Sequence, residues 1–158
     1  MTKLTNVSSR LLREHPFFRD LPARFRDCIG DCAAPGVLEA GSFAFRKGEP
    51  AECCYLIRHG QVSLEMPVDG GDSVVVETLH DNEVMGWSWL VPPYRATLDA
   101  RVLVPTTVIR LDGACLRGLI DADDRLGFVL YKRFKPIMAR HMAASRRQLQ
   151  QGLRACSG

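Results

Sequence analysis

Between Val37 and Leu111 the chain leaves no room for a long helix. Its apolar runs there are short and rich in β-branched or aromatic residues, and roughly every eight to twelve residues a glycine, proline or aspartate interrupts them. The runs fall at 37–39, 42–45, 54–57, 61–66, 73–79, 96–103 and 106–111. Asp69-Gly70-Gly71-Asp72, set between two of them, is a hairpin turn by composition. Many short strands at even spacing close into a sandwich or a barrel, so a mainly β fold with flanking helices is expected.

The flanks read differently. The first ten residues are polar, and residues 1–14 are expected to form a flexible N-terminus. Residues 15–22 suit a short turn or helix. After Pro22, the spacing of Phe25, Cys28 and Ile29 predicts a helix that ends near Gly30. Asp112 is placed to cap a short helix over 112–120. From Asp123 a long helix is expected, because Leu126, Leu130, Phe134, Met138, Met142, Leu149 and Leu153 recur about every fourth residue with one gap near Ser145. Pro136 inside that pattern predicts a kink or a break. The resulting division is 1–14, a β-rich body over 15–122, and a C-terminal helix over 123–153.

Bulk properties exclude more than they assign. The 158 residues can build one core, and a net charge of +3 is too small to argue for nucleic acid. Lys132, Arg133, Lys135, Arg140, Arg146 and Arg147 gather late in the chain, which a charged helix face explains. No apolar run of about 18 residues occurs, and the N-terminus lacks the apolar stretch of a signal peptide, so a cytoplasmic protein without a membrane span is expected. The six cysteines are expected as free, mostly buried thiols. Cys28 and Cys32 would share one helix face, and Cys53 and Cys54 would point to opposite faces of a strand, so neither pair supplies the convergent ligands of a metal site. His15, His59, His80 and His141 form no H-x-H pair, and no nucleophile–base arrangement is visible, so the chain is not expected to be an enzyme.

Three motifs carry more. Phe45-Arg46-Lys47-Gly48-Glu49-Pro50 and Tyr55-Leu56-Ile57-Arg58-His59-Gly60-Gln61-Val62 resemble the "F-x-x-G-E-P" turn and "Y-x-I-x-x-G-x-V" hairpin of the cyclic nucleotide-binding domain found in the catabolite-activator and fumarate–nitrate regulator family. The likeness extends over roughly 15–149. It implies a double-stranded β-helix, or jelly-roll, barrel with short N-terminal helices and a long C-terminal one.

In that family a glycine, a helix start and an arginine hold a cyclic phosphate, and a glutamate takes the ribose hydroxyl. The matching stretch here is Gly86-Trp87-Ser88-Trp89-Leu90-Val91-Pro92-Pro93-Tyr94-Arg95-Ala96-Thr97. Gly86 is kept, Trp87 stands where the glutamate would be, and Arg95 lies near the arginine position but precedes Ala96-Thr97. An indole offers one donor and no acceptor, so recognition of a hydroxyl is weakened. The expected ligand-binding residues are Gly86, Trp87, Ser88, Trp89, Arg95, Ala96 and Thr97. Arg95 could offer its planar fork to a phosphate or carboxylate, or pair with Asp99 or Glu83 on the surface.

No required cofactor is implied, and the ligand is expected to be a cyclic nucleotide or another anionic small molecule. The family's regulators carry a DNA reader after the long helix. Little sequence follows Leu149 here, so output is expected through a protein partner or self-association, and direct DNA binding is not. A homodimer seam is expected on Leu130, Phe134, Ile137, Met138, Met142 and Leu149. The sequence reads as a regulatory sensor with altered or lost cyclic nucleotide specificity; the alternative is a ligand-free dimerisation scaffold on the same fold.

Overall fold

A computed structural model describes residues 2–157, with side chains described for 8–148 and 150. Two four-stranded antiparallel sheets form the body. One runs in the order β1 (Ala33–Leu38), β8 (Thr106–Asp112), β3 (Cys53–His59), β6 (Val84–Met85). The other runs β2 (Phe43–Phe45), β7 (Asp99–Val102), β4 (Val62–Met66), β5 (Val74–Leu79). The mainly β jelly roll with flanking helices is therefore observed, and β4 and β5 pair across the Asp69–Asp72 turn as the sequence predicts.

Between the sheets lies an apolar layer of Tyr55, Ile57, Val62, Leu64, Leu79, Met85, Ala100, Val102 and Val108. A second apolar cluster sits where the helices meet the barrel. It gathers Leu12, Phe18, Phe25 and Ile29 from the N-terminal region, Trp89, Leu116 from α3 (Gly113–Ala122), and Leu126, Leu130 and Phe134 from α4 (Asp124–Ser157). Asp112 caps α3 as expected, its Oδ1 accepting from Cys115 N–H at 3.0 Å. Asp123 does the same for α4, with Oδ1 accepting from Arg125 N–H at 2.9 Å.

Four expectations are corrected. Thr2–Glu14 forms a helix, α1, where polar, frayed residues were expected. Its hold on the barrel comes from a few sites: Leu12 is fully buried, and Ser8 Oγ donates to Ala33 O at 3.1 Å. α4 runs unbroken through Pro136. The interior proline costs about 3 kcal/mol, which the packing of Leu126, Leu130 and Phe134 into the second cluster offsets. Cys32 and Cys115 are disulfide-bonded, not free. The two cysteines are 83 positions apart, and Asp112 N–H donates to Cys32 O at 2.9 Å, which seats the start of α3 beside residue 32. The free cysteines among the described residues are Cys28, Cys53 and Cys54, and Cys28 is exposed.

The fourth correction concerns the expected seam. Leu130 and Phe134 are fully buried in the chain's own core, and Ile137 packs against it. The face they share with Leu126 is committed to the barrel. Met138 is half-buried and Met142 is 55% exposed. The side chain of Leu149 lies outside the described residues.

Candidate functional site

The chain reverses at Gly86 after β6. Gly86 has φ +87°, and a Cβ there would come within 3.2 Å of Cys53 O and 3.5 Å of Phe45 Cε1, so both its conformation and its surroundings call for glycine. A single 3-10 turn over Ser88–Leu90 follows. The loop then returns to the barrel through Pro92-Pro93, joined by a cis peptide, and Tyr94, at φ +59°. The return is tied to the 48–51 turn by three backbone bonds. Gly48 N–H donates to Ala96 O at 2.8 Å, Ala96 N–H to Glu49 O at 2.9 Å, and Ala51 N–H to Tyr94 O at 2.8 Å.

These two segments enclose a hollow of about 110 Å³ at the mouth of the barrel. Gly86, Trp87, Ser88, Ala96 and Thr97 all lie in its wall, so five of the seven expected ligand residues converge there. Two do not. Trp89 points into the second apolar cluster, is fully buried, and meets Phe134 edge-on with ring centroids 5.2 Å apart. Arg95 Nη1 donates to Gly48 O at 2.8 Å, and Arg95 lines a separate depression with Tyr94, Asp112 and Arg117. The 50–53 segment lines both recesses, with Arg95 in one and Trp87 in the other. Arg95 pairs with neither Asp99 nor Glu83: Asp99 Oδ2 faces Arg46 at 3.8 Å, and Glu83 Oε1 faces Arg140 at 3.7 Å.

Sequence reasoning missed several wall residues. Phe45 and Tyr55 supply aromatic faces, Glu49 and Glu52 are charged and exposed, and Cys53 adds a thiol whose pKa is raised by burial. His141 reaches the wall from α4 and is 3% exposed. Burial first, then the adjacent Arg140 guanidinium, push its pKa down to about 4, so the ring is neutral near pH 7. His141 Nε2 lies 3.3 Å from Glu77 Oε2 on β5, but off the hydrogen-bonding angle, which leaves both atoms unpartnered. Arg140 holds the other oxygen of Glu77 at 3.0 Å. One signal could have pointed to His141. It falls one turn after Ile137 on the inward face that Leu130 and Phe134 define.

The comparisons fit this geometry. Residues 36–123, more than half of the chain, match the cyclic nucleotide-binding domain family. An inferred potassium channel protein of Rhodopseudomonas palustris is 33% identical over 84 residues, 52% of this chain and 20% of that protein. The chain thus spans about a fifth of the length of that curated relative. Among solved structures, an inferred cyclic nucleotide-binding protein from Geobacter metallireducens GS-15 is 27% identical, covers 90% of this chain and 98% of its own, and superposes with a TM-score of 0.69. The sensor domain of the transcriptional regulator DNR from Pseudomonas aeruginosa shares the fold at 17% identity and TM-score 0.68, over 89% of this chain and 95% of its own. The matched stretch contains every strand that lines the hollow, and the chain belongs to the cyclic nucleotide-binding domain family.

Proposed function

We propose that this chain is a non-enzymatic regulatory sensor whose hollow has moved away from cyclic nucleotides and whose state is passed on by α4. The observation that carries this reading is the composition of the wall. Gly86 and Ser88 are present, but an indole stands at the expected glutamate, and no lysine or arginine lines the hollow among the described residues. A cyclic phosphate there would lack the charge-assisted partner that such sites rely on. His141 supports the link to output, since a side chain of α4 belongs to the hollow and adjoins Glu77 on β5. A guest that alters this contact shifts α4 by whatever it gains from one arrangement over the other.

The partner in this reading is a second copy. Phe128 is 66% exposed, Tyr131 52% and Met142 55%, all on α4. With Lys135 and Met138 they recur at alternating steps of three and four, the spacing of a helix–helix seam, on the side opposite the buried Leu130 and Phe134. The same stripe would serve a ligand-free dimerisation scaffold.

Amide hydrogen exchange of α4 separates the two. The sensor reading expects cyclic AMP and cyclic GMP to leave exchange over 138–148 unchanged at micromolar concentration, and some compound in a small-molecule panel that raises the melting temperature to change it. A scaffold shows no ligand-dependent change with any compound that binds. A micromolar effect of cyclic AMP restores orthodox recognition.

A further inference from the structure

We propose that the hollow selects a small organic cation, a protonated amine or quaternary ammonium group, in place of an anion. The inference rests on the sensor reading and names the ligand class of the same site. The formally charged side chains of the wall are Glu49 and Glu52. Arg95 is turned to the far side of the 50–53 segment, and Arg117, which shares its depression, donates to Trp89 O at 2.9 Å. A phosphate entering the hollow finds no basic residue in its wall, whereas an ammonium group finds two acidic ones, Glu49 and Glu52, the latter shared with the neighbouring depression.

The rest of the wall fits the same guest. Phe45 and Trp87 supply aromatic rings, the surface that attracts a cation lacking hydrogen-bond donors, and the ring of Tyr55 already carries the Arg110 guanidinium 5.7 Å from its centroid. Ser88 and Thr97 add hydroxyl acceptors. His141 adds a buried polar ring to the wall, with its Nε2 facing Glu77 Oε2 at 3.3 Å. The hollow is compact at about 110 Å³, below the ~300–1,000 Å³ of common ligand pockets, which suits a headgroup better than a whole nucleotide.

The backbones that carry the two carboxylates are held in place. Glu49 O accepts from Ala96 N–H at 2.9 Å, and Glu52 O accepts from Gly113 N–H at 2.8 Å, so both backbones are pinned to neighbouring elements. Glu49 Oε2 accepts from Arg46 N–H at 3.4 Å. Both side chains are exposed, and Glu52 also borders the depression that holds Arg95.

The test is calorimetric titration of the full chain with choline, tetramethylammonium and cyclic AMP. Choline is expected to bind saturably to the unaltered protein and at least tenfold more weakly to Glu49→Gln/Glu52→Gln, which keeps side-chain shape. Arg95→Ala is expected to bind choline as the unaltered protein does. The melting temperature of each variant verifies folding. Absence of saturable binding by either ammonium compound overturns the inference, and so does binding that the double variant leaves unchanged. The two readings fail separately. Cyclic AMP binding that changes α4 exchange sinks the cation and the loss of cyclic nucleotide recognition while sparing signalling through α4, and choline binding that leaves α4 exchange unchanged spares the cation and sinks the sensor.

Discussion

Trp87 and Trp89 stand two residues apart and do opposite work. Trp87 is half-buried in the wall of the hollow, while Trp89 is fully buried under the helices, edge-on to Phe134. The single 3-10 turn over Ser88–Leu90 separates them by rotating successive side chains apart. One short loop thus belongs to two regions: a core that holds α4 to the barrel, and an open recess in the barrel wall. The family's phosphate cassette is a single stretch in sequence, but here its members are divided between these two places.

That contrast can be broken most sharply at the core. Trp89→Ala is expected to cost about 3–5 kcal/mol of unfolding free energy, the range for a large buried aromatic, read from the urea midpoint. A loss near 1 kcal/mol would mean that Trp89 is not a core residue. Next in size is the response to acid. His141 is neutral in the fold with a pKa of about 4, whereas the unfolded chain protonates it near the ordinary value of 6.5, so the stability it carries is full above pH 6.5 and is lost as pH falls toward 4. The linkage amounts to about 3 kcal/mol at most. His15, buried with its pKa lowered by desolvation, acts in the same direction. Glu77, whose pKa is raised by desolvation against the pull of Arg140, acts in the opposite one. Glu83, Arg140 and Arg147 complete the charges around this contact. His141→Gln should flatten the pH dependence between 6.5 and 4, and an unchanged slope would remove His141 from the account of that region.

Smaller effects sharpen the boundary. Gly86→Ala forces a side chain into a left-handed conformation against Cys53 O and is expected to cost about 1–3 kcal/mol in a thermal melt. Trp87→Phe should cost about 1 kcal/mol or less, because the position is half-buried. A larger loss at Trp87 than at Trp89 would reverse the division.

The fold was legible because its signals are local. Strands show as short β-branched runs, reversals as glycines, and α3 as an aspartate placed to cap it. What escaped was tertiary. The polar surface of α1 hides the few residues that anchor it, and Cys32 and Cys115, 83 residues apart, are brought together only by the fold. Pro136 looks like a break until the packing of its helix is known. The site divides along the same line. Gly86, Trp87, Ser88, Ala96 and Thr97 are found by order along the chain, whereas Glu49, Glu52, Tyr55 and His141 arrive from segments that only the barrel brings together. Trp89 and Arg95 were misplaced because a motif fixes where a residue sits in the chain and not which way its side chain turns.

The most direct measurement uses Trp89→Phe, which leaves Trp87 as the single indole of the chain. Its fluorescence is followed while cyclic AMP and then choline are added. A flat response to cyclic AMP and a saturating response to choline are expected. Saturation by cyclic AMP at micromolar concentration, with no response to choline, would contradict the claim that this hollow has exchanged an anion for a cation.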